Sequence, residues 1–398
     1  MRIWPLVICL ILIASGSYAQ KHKEYYPNGK LKEVGKYKKN QPVGKWVFYH
    51  ENGGIWGEGK YVKGNKEGPW KFYHESGNLS EEGNYVGGAE NGMWIGYHDN
   101  QNVDYKGAFD HGKKVGKWQH YNESGGLNRE GEFVNGVQEG VWNYYYDNGQ
   151  LEKTGMWENG ESIGIWKYYY EDGAPLKTGS WDHGVQTGIW TYYNEYGNVI
   201  EKGEWIDDKQ SGLWEYFFAS GTLQSKGYWK EGKQTGPWSY YYENGKLEKK
   251  GEWEEGFNIG VWHYYYETGQ LEKKGERADG HAVGEWVYYY ENGNKKEAGS
   301  FGENGVQTGK WVYYHEDGWL MEEGEWKDGV QEGEWKYYFE NGNPSEIGSW
   351  TKGQQDGEWK YYHENGNLRR EGSWVNGVAV GLWKTYDESG HFKSSDNF

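Results

Sequence analysis

Five histidines stand four residues after a tryptophan: His50, His74, His98, His315 and His363. Imidazole is a common metal ligand and a general base near neutral pH, so their mutual distance decides what they can do. Consecutive members are 24 residues apart or further. If each such stretch supplies two strands at ~4.8 Å, equivalent side chains lie roughly 10 Å apart. Ligands that share one ion must each reach it at ~2 Å. Neighbouring copies cannot do that, which leaves histidine as a stand-in for the tyrosine found at the same place in other copies.

Acidic residues form a second column. One precedes almost every turn, from Glu51 and Glu75 to Glu364 and Glu388, with Ala219 as an exception. Calcium needs six to eight oxygens converging on one point, whereas these recur singly, so the column reads as a solvated rim. No two carboxylates stand out as an acid and base pair, and no serine, histidine and aspartate fall at a catalytic spacing. Gly-x-Gly patterns are too frequent here to mark a phosphate site. The expectation is a chain that is not an enzyme, with no cofactor and no metal.

Aromatic rings are the strongest candidate surface. Tyr144, Tyr168, Tyr192, Tyr216, Tyr240, Tyr264 and Tyr288 run beside Trp142 through Trp286 at the same interval. Rings offer large contact area at low entropic cost, so the ladder suits stacking on sugars or gripping a peptide. The same rings must also pack the fold.

The elements that hold these columns are repeats. Tryptophans recur every 24 residues from Trp46 to Trp286 and, after one inserted residue near Glu303-Asn304-Gly305, again from Trp311 to Trp383. Each has a glycine two residues earlier and an aromatic three residues later. Periodicity of this kind overrides any estimate of domain number from length. The stretch from Gly236 to Trp253, GPWSYYYENGKLEKKGEW, represents the unit. Two glycine turns about eleven residues apart, with aromatic runs between, specify two short strands. This density of glycine excludes helices.

Asn-Gly is a strong hairpin signal because a type I′ turn requires positive φ at both central residues. Asn244-Gly245 as a two-residue turn sets Trp238 opposite Gly251, Gly236 opposite Trp253 and Tyr242 opposite Leu247. A three-residue turn sets Trp238 opposite Lys250 instead. The first register gives each large ring a glycine neighbour. It also puts Trp238, Tyr240, Tyr242, Leu247 and Trp253 on one face and Tyr241 with charged residues on the other. Gly236, Trp238, Tyr241, Gly245, Leu247, Gly251 and Trp253 are therefore the structural residues of the unit.

One hairpin is not stable alone, so neighbouring copies must support each other as a nearest-neighbour array. The expected fold is all-β: an elongated, twisted antiparallel β-meander of about fifteen hairpin repeats, open rather than closed as a propeller, with the Trp face on the concave inside. Gln101, Arg277, Gly96, Pro175 and Pro344 depart from the consensus and mark the expected bends.

The organisation that follows is a signal peptide over 1–19, an N-terminal cap half-repeat over 20–43, the repeat array over 44–383, and a C-terminal cap with polar tail over 384–398. Met1-Arg2, an apolar run from Ile3 to Ala14 and the Ser17-Tyr18-Ala19 site have the pattern of a secretory leader. About twelve apolar residues fall short of the ~20 that span a bilayer. Cys9, the single cysteine, lies in that leader. The formal charge of −17 becomes −18 once Arg2 is removed. Such a charge disfavours nucleic acid and anionic membrane lipid and favours a basic protein partner. Export places the chain in the periplasm, at the cell surface or outside the cell.

The pattern G-x-W-x-x-Y-Y-E-N-G-x-L-x-x-x-G-x-W-x-x-G resembles the bacterial variant of the MORN repeat, seen also in YwqK-type antitoxin-like proteins, and covers residues 22–393. The resemblance implies an extended β-meander used as a scaffold or interaction surface. The functional expectation is an exported, non-enzymatic scaffold that binds protein through its aromatic face and acidic rim, antitoxin-like by resemblance. The alternative is a module that binds carbohydrate or cell-wall glycan with the aromatic ladder.

Overall fold

The computed structural model describes residues 18–398. The expected leader, Cys9 included, therefore lies outside the described residues except for its last two positions. Thirty-three strands and no helix make up the regular structure of the described residues. The chain divides into two units, residues 1–185 and 186–398. Within each, strands pair antiparallel with the strands before and after them, giving a meander of hairpins as expected. The first strand, Gln20–Tyr25, pairs with Leu31–Lys38, and the last, Phe392–Asn397, pairs with Val378–Tyr386. Among the described residues neither has a second strand neighbour, so the sheet is open.

The representative hairpin joins Lys233–Tyr241 to Leu247–Glu254. Trp238 pairs with Gly251 and Gly236 with Trp253, as the sequence register requires. The turn itself differs from expectation. The Gly245 N–H donates to the Tyr242 carbonyl and the Tyr242 N–H to the Lys246 carbonyl, both at 2.9 Å, which closes a three-residue loop, Glu243-Asn244-Gly245. Gly245 has φ +81° while Asn244 is absent from the left-handed region, so this is not a type I′ turn. Three loop residues would shift the strands by one, but a bulge between Tyr240 and Tyr241 restores the register. Tyr241, and not Tyr242, consequently pairs with Leu247. Leu247 thus shares the face of Tyr241 and not that of Trp238, a correction to the assignment of faces.

The type I′ turns occur at the other end of the strands. Glu255 and Gly256 have φ +50° and +88°, with Glu254 paired to Phe257 across them. The inserted residue enlarges one such turn: the Gly302 N–H donates to the Val306 carbonyl at 2.9 Å around Glu303-Asn304-Gly305.

The core of each unit is a column of rings. All fifteen repeat tryptophans from Trp46 to Trp383 are at most 4% exposed. Trp214, Trp238 and Trp262, like most of the others, each lie on a glycine of the preceding strand. A Cβ at Gly227 would overlap the Trp238 indole, and one at Gly251 would overlap Trp262. Gly236 is needed for a different reason. A Cβ there meets only Tyr228, at 3.9 Å, but its φ is +61°, a backbone that L side chains disfavour. It sits where Tyr228 pairs with Thr235 while Gly227 pairs with Trp238, a bulge that leaves Gly236 and Pro237 unpaired with that strand. The Trp238 indole N–H donates to the Tyr228 carbonyl at 3.1 Å, supplying a bond where the bulge interrupts the ladder.

The departures from consensus are absorbed without interrupting the strands. Pro175 and Pro344 each begin a strand, where a missing N–H is tolerated. At Gly96 the absent ring is replaced from across the pair, because Tyr105 fills the space a Cβ would take and stacks on Trp118 at 5.6 Å. Arg277 takes the second aromatic position and donates from Nε to the Tyr264 hydroxyl at 3.0 Å.

Candidate functional site

The Trp-bearing face carries a row in which tyrosines alternate with polar residues, one per strand. In the second unit it runs by successive cross-strand pairing through Tyr240, Lys249, Tyr264, Lys273, Tyr288, Glu297, Tyr313, Glu322, Tyr337, Glu346, Tyr361 and Arg370. In the first unit the order is Arg129, Tyr144, Lys153, Tyr168 and Lys177. The tyrosines come from the position two after each Trp, the polar residues from the position nine residues after that tyrosine within the unbroken repeats. Partners across antiparallel strands share a face, so strand register alone creates the row.

All seven tyrosines singled out in the sequence, Tyr144, Tyr168, Tyr192, Tyr216, Tyr240, Tyr264 and Tyr288, are half-buried. The rings of Tyr144, Tyr216, Tyr240 and Tyr264 are sandwiched between tryptophans. Tyr216 lies 6.0 Å from Trp214 and 6.1 Å from Trp238, and Tyr240 lies 5.8 Å from Trp238 and 6.2 Å from Trp262. Trp253 stands edge-on to the column, 6.0 Å from Trp262.

The polar members of the row from Lys153 onward are half-buried as well, while Arg129 is exposed. Lys249 lies over the Tyr240 ring at 4.7 Å and Lys273 over Tyr264 at 5.0 Å, in cation–π geometry. Glu322 is pushed above the usual carboxylate range by burial alone. Glu297 and Glu346 shift the same way by burial, partly offset by Lys296 and Arg369. Among the described residues these three carboxylates form no ion pair. Burial also raises the Tyr313 and Tyr337 phenols to about 12.

The reverse face is different. There Tyr73 donates to Glu58 at 3.2 Å and Lys45 pairs with the same carboxylate at 2.7 Å, so charge is already neutralised. Aliphatic residues immediately before the Trp are exposed on this side, including Ile165 at 65% and Ile189 at 61%.

The histidine column has a structural part. His50 Nε2 bonds the Tyr73 carbonyl at 2.9 Å and His74 the Tyr97 carbonyl at 2.8 Å. Tyr242 makes the equivalent bond to the Tyr265 carbonyl at 2.6 Å, so imidazole and phenol do the same work. Turn asparagines add a parallel ladder: Asn52 Nδ2 donates to the Glu75 carbonyl at 2.8 Å. The acids before the turns, Glu51, Glu75 and Glu243 among them, are exposed. One set of three metal-capable groups, His22, Glu24 and Glu33, gathers within 4.8 Å. Lys32 already bonds Glu24 there at 2.7 Å and supplies the cation.

Sequence reasoning identified the tyrosines but missed the charged half of the row. Lys249 is opposite Tyr240 in the register derived from the sequence, and the arithmetic that paired Trp238 with Gly251 contains that pair. The signal was present, hidden because Lys249 stands among charged neighbours that face the other way.

The MORN repeat variant family matches residues 21–39, 42–63, 66–86, 114–135, 138–159, 163–183, 210–231, 234–255, 259–279, 282–302, 307–328, 331–352 and 355–376. No curated protein matches. Among solved structures, the crystal structure of TcdB2-TccC3-Cdc42 is similar at 12% identity and a TM-score of 0.15, over 95% of this chain and 29% of that one. The Tc holotoxin pore of Photorhabdus luminescens is similar at 12% identity and a TM-score of 0.15, over 95% and 24%. The chain spans less than a third of the length of either, and likenesses this loose carry no argument.

Proposed function

We propose that this chain, which belongs to the MORN repeat variant family, is an exported, non-enzymatic scaffold that holds a protein partner along its aromatic face. The observation that supports the reading is the row of half-buried tyrosines and charged residues, repeated strand after strand. It is an extended surface with many weak contacts and no convergent centre, the form suited to a polypeptide that lies across several repeats. Unneutralised carboxylates at Glu297, Glu322 and Glu346, together with the acidic formal charge, favour a basic partner. An antitoxin-like role is the special case in which the captured polypeptide is a toxin.

The glycan alternative draws less support. Sugars stack on a free ring face, and both faces of Tyr216 and Tyr240 are occupied by tryptophan.

Crosslinking and mass spectrometry in the native envelope tests the scaffold reading. The expected result is a protein partner crosslinked to the aromatic face, recovered from the exported fraction with a chain that begins at Gln20. Recovery of peptidoglycan or polysaccharide alone, or of no partner, overturns it.

A further inference from the structure

We propose that the stretch of the row from Glu297 to Glu346 docks a polyproline II segment that carries a basic residue at every third position. This deepens the scaffold reading above and rests on it.

Glu297, Glu322 and Glu346 are linked through Tyr313 and Tyr337 by direct cross-strand pairing. Successive carboxylates are therefore two strand intervals apart, about 9.6 Å at ~4.8 Å each. A chain that crosses the strands must present cations at that interval on one side. An extended β-chain advances ~3.3 Å per residue and alternates faces, so its third residue points away. A polyproline II helix turns once in three residues and rises ~3.1 Å per residue, which returns a side chain to the same side every ~9.3 Å. Over the two intervals between the three carboxylates the accumulated mismatch is roughly 0.6 Å, within the reach of a lysine side chain.

Chemistry agrees with spacing. The three carboxylates are half-buried, share a face and form no ion pair among the described residues. A charge partly removed from water gains most from a cation brought to it. The backbone of a polyproline II helix makes no internal hydrogen bonds, so its carbonyls seek donors. Tyr313 and Tyr337 can provide them. Their hydroxyl-bearing rings lie in the same row as the carboxylates, Tyr313 between Glu297 and Glu322 and Tyr337 between Glu322 and Glu346.

The row also carries its own discrimination. Lys249 and Lys273 precede Glu297 in the same line, so a lysine pattern extended in that direction meets like charge. The preferred ligand thus has basic residues over Glu297 to Glu346 and acidic residues over Lys249 and Lys273.

The test uses the full chain after leader removal and fluorescent synthetic peptides on a proline backbone. One has three lysines at every third position, one has three at every second position, and one has glutamates in place of the third-position lysines. The period-three lysine peptide is expected to bind about tenfold more tightly than either control, the ratio set by one or two charge-assisted bonds. The E297Q/E322Q/E346Q variant should lose that margin, and E297K/E322K/E346K should prefer the glutamate peptide. I189E, on the reverse face, should leave binding unchanged. Melting curves check that the variants are folded. Equal binding of the two lysine peptides, or the same margin in the glutamine variant, overturns the proposal. If no proline peptide binds but a crosslinked envelope partner is lost from a Tyr313→Ala variant, the scaffold reading stands and the polyproline register falls. A stable dimer that shields the row also overturns it.

Discussion

Gly251 pairs with Trp238 within its own hairpin, yet the ring that covers it belongs to Trp262 in the next repeat. The pair is a joint between repeats, because the glycine of one copy is the floor for the tryptophan of the next. Each hairpin is completed by its successor, which gives the nearest-neighbour coupling expected of repeat arrays a specific atomic basis.

That joint predicts an asymmetry between two glycines of one unit. Gly251→Ala drives a methyl into the Trp262 indole and is expected to cost about 2–3 kcal/mol, the overpacking range. Gly236→Ala has open space and only a left-handed backbone to strain, for about 1 kcal/mol. Hydrogen exchange should show loosening of both flanking hairpins in Gly251→Ala and a smaller, local effect in Gly236→Ala. Equal effects would remove the joint.

Turn chemistry predicts a gain. Glu231 occupies the first position of a type I′ turn with φ +50°, a conformation that asparagine tolerates better. Asn135, Asn159 and Asn376 already fill the equivalent place. Glu231→Asn should stabilise the chain by about 0.5 kcal/mol, visible as a higher midpoint in urea. A lower midpoint would mean that Glu231 makes a contact outweighing the backbone term.

Acidic members of the row predict a pH effect of definite sign. Burial raises the Glu322 carboxyl in the folded chain. The folded state then holds a proton that the unfolded state has already released, so stability falls as pH rises through the range just above the ordinary glutamate value. Glu322→Gln should melt higher than the parent at neutral pH and show a flatter profile from pH 4 upward. The opposite slope in the parent–variant difference would show that the carboxylate is stabilised and not strained.

His120 predicts the reverse direction in the first unit. Burial, followed by Arg129 and Lys114, lowers its pKa to about 4. The unfolded chain takes up the proton first as pH falls below about 6.5, so stability present above that value is lost progressively toward pH 4. His120 stands two after Trp118, where most repeats have tyrosine. Thermal melts of His120→Tyr should lack this part of the pH dependence, whereas an unchanged profile would assign the loss to other groups.

Much of this was legible in the residues because repetition multiplies weak local signals. The 24-residue spacing of tryptophan, glycine at fixed offsets and period-two alternation determined an open meander of hairpins. They also determined the pairing of Trp238 with Gly251, since only one register gives every indole a glycine. Two decisions belonged to the tertiary structure. Asn-Gly does not distinguish a two-residue turn from a three-residue loop followed by a bulge, because both return the strands to one register away from the turn; Asn244-Gly245 takes the second and Asn159-Gly160 the first. Nor does pairing within one hairpin reveal which ring rests on a glycine, because an indole reaches beyond its own strand pair. Only when Trp262 is placed beside the preceding copy does Gly251 acquire its partner, and only then do Tyr313 and Glu322 align into a continuous row.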